Sequence, residues 1–72
     1  MREPRKLFIW VDYKGKVRKL SLSSGADISD LMVAMELPLT SCIAVRDGAP
    51  IPSDERLRRG DAILLLDTFS GG

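Results

Sequence analysis

The residues of this chain with the most definable chemistry stand at its end, where Gly71 and Gly72 follow Ser70. Glycine has no Cβ, so two successive glycines give a narrow, flexible main chain that can enter an enzyme channel. The chain then ends in a carboxylate, which an adenylating enzyme can activate. We therefore interpret the carbonyl of Gly72 as the reacting group of a carrier or tag. The alternative is a frayed terminus without function.

The composition argues against an active site on the chain itself. Its 72 residues include no histidine, which is the commonest general base and metal ligand. The one cysteine, Cys42, is expected to be a small buried residue. We therefore predict that the chain is not an enzyme and that it holds neither a metal nor a stably bound cofactor.

Charge and hydropathy limit the cellular location and the classes of binding partner that we expect. The net charge of +1 gives no general attraction to nucleic acid. One cysteine cannot form an internal disulfide, and the apolar runs are too short for a signal peptide or a membrane span. We expect a cytoplasmic protein without membrane contact. Four arginines are better explained as solvated turn residues than as a basic patch for tRNA or for an acidic enzyme surface: Arg46, Arg56, Arg58 and Arg59.

Two strands and a turn are predicted at the start. Residues 6–12 and 17–22 are rich in strand formers, and Lys14-Gly15-Lys16 is a turn signal, so we predict an antiparallel hairpin. Alternate residues of a strand share a face. We assign Leu7, Ile9 and Val11 to the core, which places Phe8 and Trp10 on the opposite face.

A single helix is predicted next. Asp27 is a favourable N-cap, and Asp30 lies in the first turn, where the helix dipole favours negative charge. The helix should continue for about ten residues, until Pro38. Its buried stripe has helical spacing: Ile28, Leu31, Met32 and Met35.

The second half contains three more strands. The predicted elements are a strand at 42–46, a turn at Asp47-Gly48, a short edge strand at 49–52, a helical turn at 53–57 with Leu57 inward, and a last strand at 62–66. The natural closure places the first and last strands side by side and parallel. We predict an α+β fold, the β-grasp, with a mixed sheet of four to five strands on one helix. Residues 1–67 form this domain and residues 68–72 a flexible diglycine tail.

In this order the chain resembles ubiquitin-like proteins of the sulfur-carrier branch over nearly its whole length. The resemblance rests on three segments: Ala44-Val45-Arg46-Asp47-Gly48, Arg59-Gly60-Asp61 and Ser70-Gly71-Gly72. Each segment is short, but together they occur in register with the predicted fold. The ending is most similar to that of the ubiquitin-related modifiers, which include small archaeal modifier proteins and a bacterial carrier for tRNA thiolation.

The resemblance implies a mechanism carried out by partner proteins. An enzyme of the ubiquitin-activating type would use ATP to adenylate Gly72, and sulfur would then replace the nucleotide to give a thiocarboxylate. The sulfur would pass to tRNA through a thiolation enzyme, or the activated tail would join a lysine of another protein. Two alternatives stay open: a dedicated carrier for molybdopterin or thiamine biosynthesis, and a ubiquitin-like interaction module whose tail is never activated.

A docking surface for the activating enzyme follows from the strand faces. If Leu7, Ile9 and Val11 form the core, then Trp10 and Phe8 share the open face of the sheet with Leu64 and Leu66. Such an apolar patch on a small protein usually marks a partner site. The alternatives are that the aromatic rings face inward, as a register slip of one residue would cause, or that loop residues cover them. Phe69, close to the end, is predicted to make a further contact with the partner.

Overall fold

A computed structural model of the chain describes residues 5–68, which form one mixed sheet and one helix. The elements, in chain order, are β1 (Lys6–Tyr13), β2 (Lys16–Ser23), α1 (Ile28–Ala34), β3 (Cys42–Arg46), β4 (Ala49–Ile51) and β5 (Ala62–Asp67). The sheet order is β2-β1-β5-β3-β4. β1 and β5 are parallel and the other pairs antiparallel. This confirms the predicted α+β arrangement, with the first and last strands adjacent.

Two tight turns set the register of the hairpins. Lys14 and Gly15 have φ angles of 53° and 78°, and Asp47 and Gly48 have 53° and 80°. Positive φ at both central residues matches the twist of the flanking strands, and glycine adopts it without steric cost. The turns therefore fix which residues of β1 and β2, and of β3 and β4, lie opposite one another.

Helix α1 is shorter than the sequence predicts. It begins after the Asp27 cap, where Asp27 and Asp30 each accept a hydrogen bond from the other's backbone N–H, as in a capping box. It has seven residues instead of about ten, because Glu36 takes a φ of 61°. The N–H groups of Glu36 and Leu37 bond back to the carbonyls of Val33 and Met32, a Schellman ending that stops the helix before Pro38.

The core lies between α1 and one face of the sheet. Every residue of β1 predicted to be inward is buried, and so are Ile63 and Leu65 of β5. The helix contributes Ile28, Leu31 and Met32, while Met35 packs against the core at its edge. Cys42 is buried as predicted. The hydrophobic contacts of these residues supply most of the driving force for folding.

The predicted helical turn at 53–57 is a single reverse turn instead. The N–H of Glu55 donates to the carbonyl of Pro52 at 3.1 Å. The chain then passes the segment before α1, where Asp27 and Arg56 form an isolated antiparallel bridge. The N–H of Leu57 donates to the carbonyl of Ala26 at 2.9 Å. Because the N–H of Leu57 donates to this other segment, a helical turn that used the same N–H locally would break the pairing. Leu57 is nevertheless buried, as the sequence predicts.

Residues 5–68 contain no helix of the length and apolar character that a bilayer crossing requires. Of the predicted tail, 68–72, only Thr68 is among the described residues.

Candidate functional site

The open face of the sheet carries a cluster of large apolar side chains. We call Phe8, Trp10, Ile43, Leu64 and Leu66 the open-face patch. These side chains are between 36% and 49% exposed. Strand register places them on one face, because Ile43 pairs with Leu66 and the neighbour of Leu64 on β1 is Asp12, two residues from Trp10. The patch therefore crosses the three central strands β1, β5 and β3.

Lys19 of β2 borders the aromatic part of this patch. Its Nζ lies 4.9 Å from the ring centroid of Phe8 and 5.6 Å from that of Trp10. Both distances are within the range of a cation–π interaction. The lysine covers one side of the rings only, since both remain about half exposed. The alternative in which these rings turn inward is therefore wrong.

The last described residue is fixed beside the patch. The N–H of Thr68 donates to the carbonyl of Ser41 at 2.9 Å, and its hydroxyl donates to the carbonyl of Thr40 at 2.8 Å. Leu66, in the patch, is two residues earlier. Phe69, Gly71 and Gly72, the other predicted site residues, lie outside the described residues. The structure therefore shows where the terminal segment starts, and the roles of these three residues stay predictions.

Asp67 ties the end of β5 to its surroundings on the covered side of the sheet. Its carboxylate accepts hydrogen bonds from the Tyr13 hydroxyl at 3.4 Å and the Cys42 thiol at 3.6 Å. The Lys14 ammonium lies 3.7 Å away. The pKa of Lys14 is raised by electrostatic interaction first with Tyr13 and then with Asp67. These contacts hold Asp67, so that the chain leaves β5 in a defined direction.

Arg46 is a central residue whose role the sequence did not show. Its guanidinium bonds the Glu55 carboxylate at 2.7 Å, the Asp61 carboxylate at 2.9 Å and the Arg56 carbonyl at 2.7 Å. The hydrogen bond to Glu55 is the main cause of its raised pKa. With a side chain only 10% exposed, Arg46 cannot belong to a solvated turn or to a surface basic patch. The strand pairing explains this burial, because Arg46 lies opposite Ile63, which is buried.

The Arg46 network also explains two of the sequence segments. Asp61, from Arg59-Gly60-Asp61, accepts from Arg46 and from the backbone N–H of Arg58 at 2.8 Å. The segment ending in Asp47-Gly48 is thereby joined to the turn that leads into β5. The role of both segments in the described structure is to position β5, the strand that precedes the diglycine.

Residues 5–68 contain no group of three or more acidic, cysteine or histidine side chains arranged to hold a metal ion. The described residues present an exposed apolar surface that lies beside Thr68.

Comparison with solved structures identifies the architecture. The ubiquitin-like domain of an Arabidopsis thaliana protein superposes with a TM-score of 0.76 at 14% identity, over 94% of this chain and 83% of that chain. Ubiquitin from Caldiarchaeum subterraneum gives a TM-score of 0.69 at 16% identity, over 94% of this chain and 100% of that chain. This chain has the ubiquitin-like fold.

A third structure, the N-terminal ubiquitin-like domain of the 4931431F19Rik protein, gives a TM-score of 0.73 at 12% identity, over 100% of this chain and 86% of that chain. No protein-family model and no curated protein matches the sequence. Identities this low establish the fold alone. Within the ubiquitin-like fold, the function has to be argued from this chain's own residues.

Proposed function

We propose that this ubiquitin-like chain is a modifier or sulfur carrier that an adenylating enzyme activates at Gly72. The observation that carries the proposal is the exposed open-face patch. Its last residue in the sequence, Leu66, is followed within six residues by Gly71 and Gly72. Domains with this fold generally act by contacting other proteins. An apolar patch of this kind, with two aromatic residues, is typical of a protein-binding surface.

The fixed position of Thr68 limits where the reaction can take place. Gly72 is the fourth residue after Thr68. A fully extended chain of that length reaches about 14 Å. An enzyme that covers the open-face patch must therefore place its adenylation site within about 14 Å of Thr68. Glycines at the last two positions allow this approach through a narrow channel, because they carry no Cβ.

The reacting groups other than the Gly72 carboxylate belong to partners. In the proposed reaction the carboxylate attacks the α-phosphate of ATP, forming an acyl-adenylate and releasing pyrophosphate. A sulfur nucleophile then displaces AMP to give a thiocarboxylate. The sulfur is then passed on for tRNA thiolation. In the other branch, a lysine amine displaces AMP from the acyl-adenylate and forms an isopeptide bond. The chain itself is proposed to be no enzyme and to hold no cofactor.

Two other functions would use the same fold. A dedicated carrier for molybdopterin or thiamine biosynthesis would share the activation step and differ in the acceptor of the sulfur. A ubiquitin-like interaction module would use the open-face patch alone. The exposed patch is compatible with all three functions, so the test has to follow the chemistry of Gly72.

The test is the intact mass of the chain after incubation with ATP, a sulfur source and the adenylating enzyme of its own organism. We expect a product in which sulfur replaces one oxygen, and we expect Gly72→Ala to fold normally and give no such product. Full activation of Gly72→Ala would contradict the proposed role of the glycine. An unchanged mass of the wild-type chain, together with tight binding of another protein to the patch, would support the interaction module.

A further inference from the structure

A second surface lies at the opposite end of the sheet from Thr68. It is an open cleft of about 330 Å³ at the start of β1. Four of its lining side chains are cationic: Arg5, Lys6, Arg56 and Arg59. The described lining also includes Leu7, Ser24, Gly25 and Leu57, but no acidic residue. We call this the basic cleft.

Three backbone hydrogen bonds bring the cationic residues together from distant parts of the sequence. The N–H of Ser24 donates to the carbonyl of Arg5 at 2.7 Å, and that of Leu57 donates to Ala26 at 2.9 Å. The N–H of Gly60 donates to the carbonyl of Phe8 at 2.8 Å. The fold itself therefore brings these segments to one end of the sheet, so that four cationic residues line one cleft although the sequence separates them.

The carboxylates near the cleft have other partners. Glu55 and Asp61 are both bonded to Arg46. Asp27 and Asp30 accept hydrogen bonds from each other's backbone N–H at the start of α1. Within residues 5–68, none of the four cleft cations has a carboxylate within 4.0 Å. A chain whose net charge is only +1 thus concentrates four positive charges at one end. Such a concentration attracts a compact anion to that end of the molecule.

We propose that the basic cleft binds a short acidic peptide segment of a partner protein. Guanidinium groups bind carboxylates through paired hydrogen bonds, and the cleft offers three of them. The low net charge of the chain gives little general attraction to the phosphates of a nucleic acid, whereas a guanidinium fork matches the planar carboxylate of a glutamate or aspartate. A protein carboxylate is therefore the better fit.

The cleft also adjoins the open-face patch. Lys6 shares the open face of β1 with Phe8 and Trp10, and Gly60 is bonded to Phe8. A partner that covers the patch can therefore extend an acidic segment into the cleft. This last step rests on the proposed function, whereas binding of an acidic peptide to the cleft does not require activation of Gly72.

The test is a nuclear magnetic resonance titration of the ¹⁵N-labelled chain with a short glutamate peptide whose ends are blocked, at low salt. We expect shifts of the backbone amides at 5–7, 24–25 and 56–60, and weaker binding as salt is added. The glutamine peptide of equal length should give no shifts. Absence of shifts with the glutamate peptide at low salt would overturn the proposal. No enzyme or ATP is present, so failure here is distinct from failure of Gly72 activation.

Matched variants separate the basic cleft from charge in general. The double variant Arg56→Gln with Arg59→Gln should weaken the peptide's affinity about tenfold. The double variant Lys16→Gln with Arg18→Gln removes the same charge from exposed β2 positions outside the cleft and should change the affinity less than about twofold. Equal losses in the two variants would overturn the proposal.

A short oligouridine provides the remaining comparison. If it bound the same amides more tightly than the glutamate peptide at equal salt, the acidic-peptide assignment would be overturned in favour of nucleic acid. We expect the oligouridine to bind more weakly and to give shifts spread over the basic residues of β2 as well. Dispersed spectra of every variant serve as the check that each one folds.

Discussion

The two faces of the sheet use the same strands for different purposes. Ile9 and Ile63 are buried beneath α1, while Trp10 and Leu64, the next residues along the same strands, are 46% and 36% exposed. Burial of a large apolar side chain stabilises a domain by about 1.5–3 kcal/mol, and a half-exposed one contributes much less. The covered face therefore explains why the chain folds. The open face has apolar residues beyond those that folding requires, which is the physical basis for assigning it to binding.

The strongest test of this comparison substitutes neighbouring residues of β1. Ile9→Ala removes a fully buried side chain and should lower the free energy of unfolding by about 2–5 kcal/mol. That is most of the stability of a domain of this size. Phe8→Ala, on the open face, should lower it by less than about 1 kcal/mol. Urea unfolding followed by circular dichroism measures both, and equal losses would show that the two faces are energetically alike.

The contribution of the ion pairs at the edge of the covered face to stability can be tested at Arg46. Arg46→Met leaves Glu55 and Asp61 without their cation and should cost about 2 kcal/mol of unfolding free energy, less than a fully buried pair because Glu55 is partly exposed. Arg46→Lys should recover only part of the loss, because an ammonium lacks the planar fork that reaches both carboxylates. Arg58→Met, at an exposed position, should change the stability by less than about 0.5 kcal/mol in the same urea titration.

The open face should respond in binding and not in folding. Trp10→Ala should weaken binding to the adenylating enzyme about thirtyfold, the scale of a central aromatic residue in an interface, and leave the urea midpoint nearly unchanged. Val33→Ala alters an exposed apolar residue on α1 and should leave the affinity unchanged. Isothermal titration calorimetry gives the affinities. Unfolding of the Trp10→Ala variant would mean that the open face also supports the fold.

The smallest effect concerns the cap of the helix that covers one face. The pKa of Asp27 is lowered, first by the hydrogen bond from the Ser29 hydroxyl and then by that from the Asp30 N–H. A lowered pKa means that the stabilisation is present above the ordinary value near 3.8 and is lost as pH falls through the lower, folded value. Asp27→Ala should therefore lower Tm by about 4–8 °C at pH 7 and by less at pH 2.

The control for this pH dependence is Asp54→Ala, in the turn before Glu55. It removes a carboxylate without removing a helix cap, so the difference in Tm from the wild type should be small at both pH values. A Tm difference for Asp27→Ala that stays constant between pH 7 and pH 2 would argue against an ionised cap.

Much of the fold could be predicted because local and long-range signals agree. The alternation of residues along β1 and β5 predicts both faces of the sheet. Because the two strands are adjacent, alternate residues of both strands lie on the covered face and the remaining residues on the open face. The limits of α1 were less predictable. Glu36 adopts a left-handed φ that glycine normally takes, so no residue type marks the end of the helix. The course of residues 55–57 likewise depends on the hydrogen bond from the Leu57 N–H to the carbonyl of Ala26, which a local pattern does not contain.

The candidate site was predictable to the same extent. The open-face patch follows from strand periodicity, and the structure confirms that Trp10, Leu64 and Leu66 are exposed together. Arg46 was misplaced among solvated residues because its two carboxylate partners are distant in sequence. Arg56 and Arg59 of the basic cleft were likewise interpreted as solvated turn residues, because Arg5 and Lys6 join them only through folding. Sequence patterns show faces well and clusters of distant charges poorly.

The pairing of β1 with β5 has a consequence for synthesis of the chain on the ribosome. The central strand of the sheet is also the last to be made, and its partner is among the first. Until β5 has left the exit tunnel, β1 and β3 have no strand between them, and the nascent chain cannot complete its sheet. Pairs so distant in sequence also close slowly, because a long loop must be ordered first. A product that is terminated before β5 therefore cannot complete this sheet, and any surface that depends on β5 is presented only by chains that have been translated at least to Asp67.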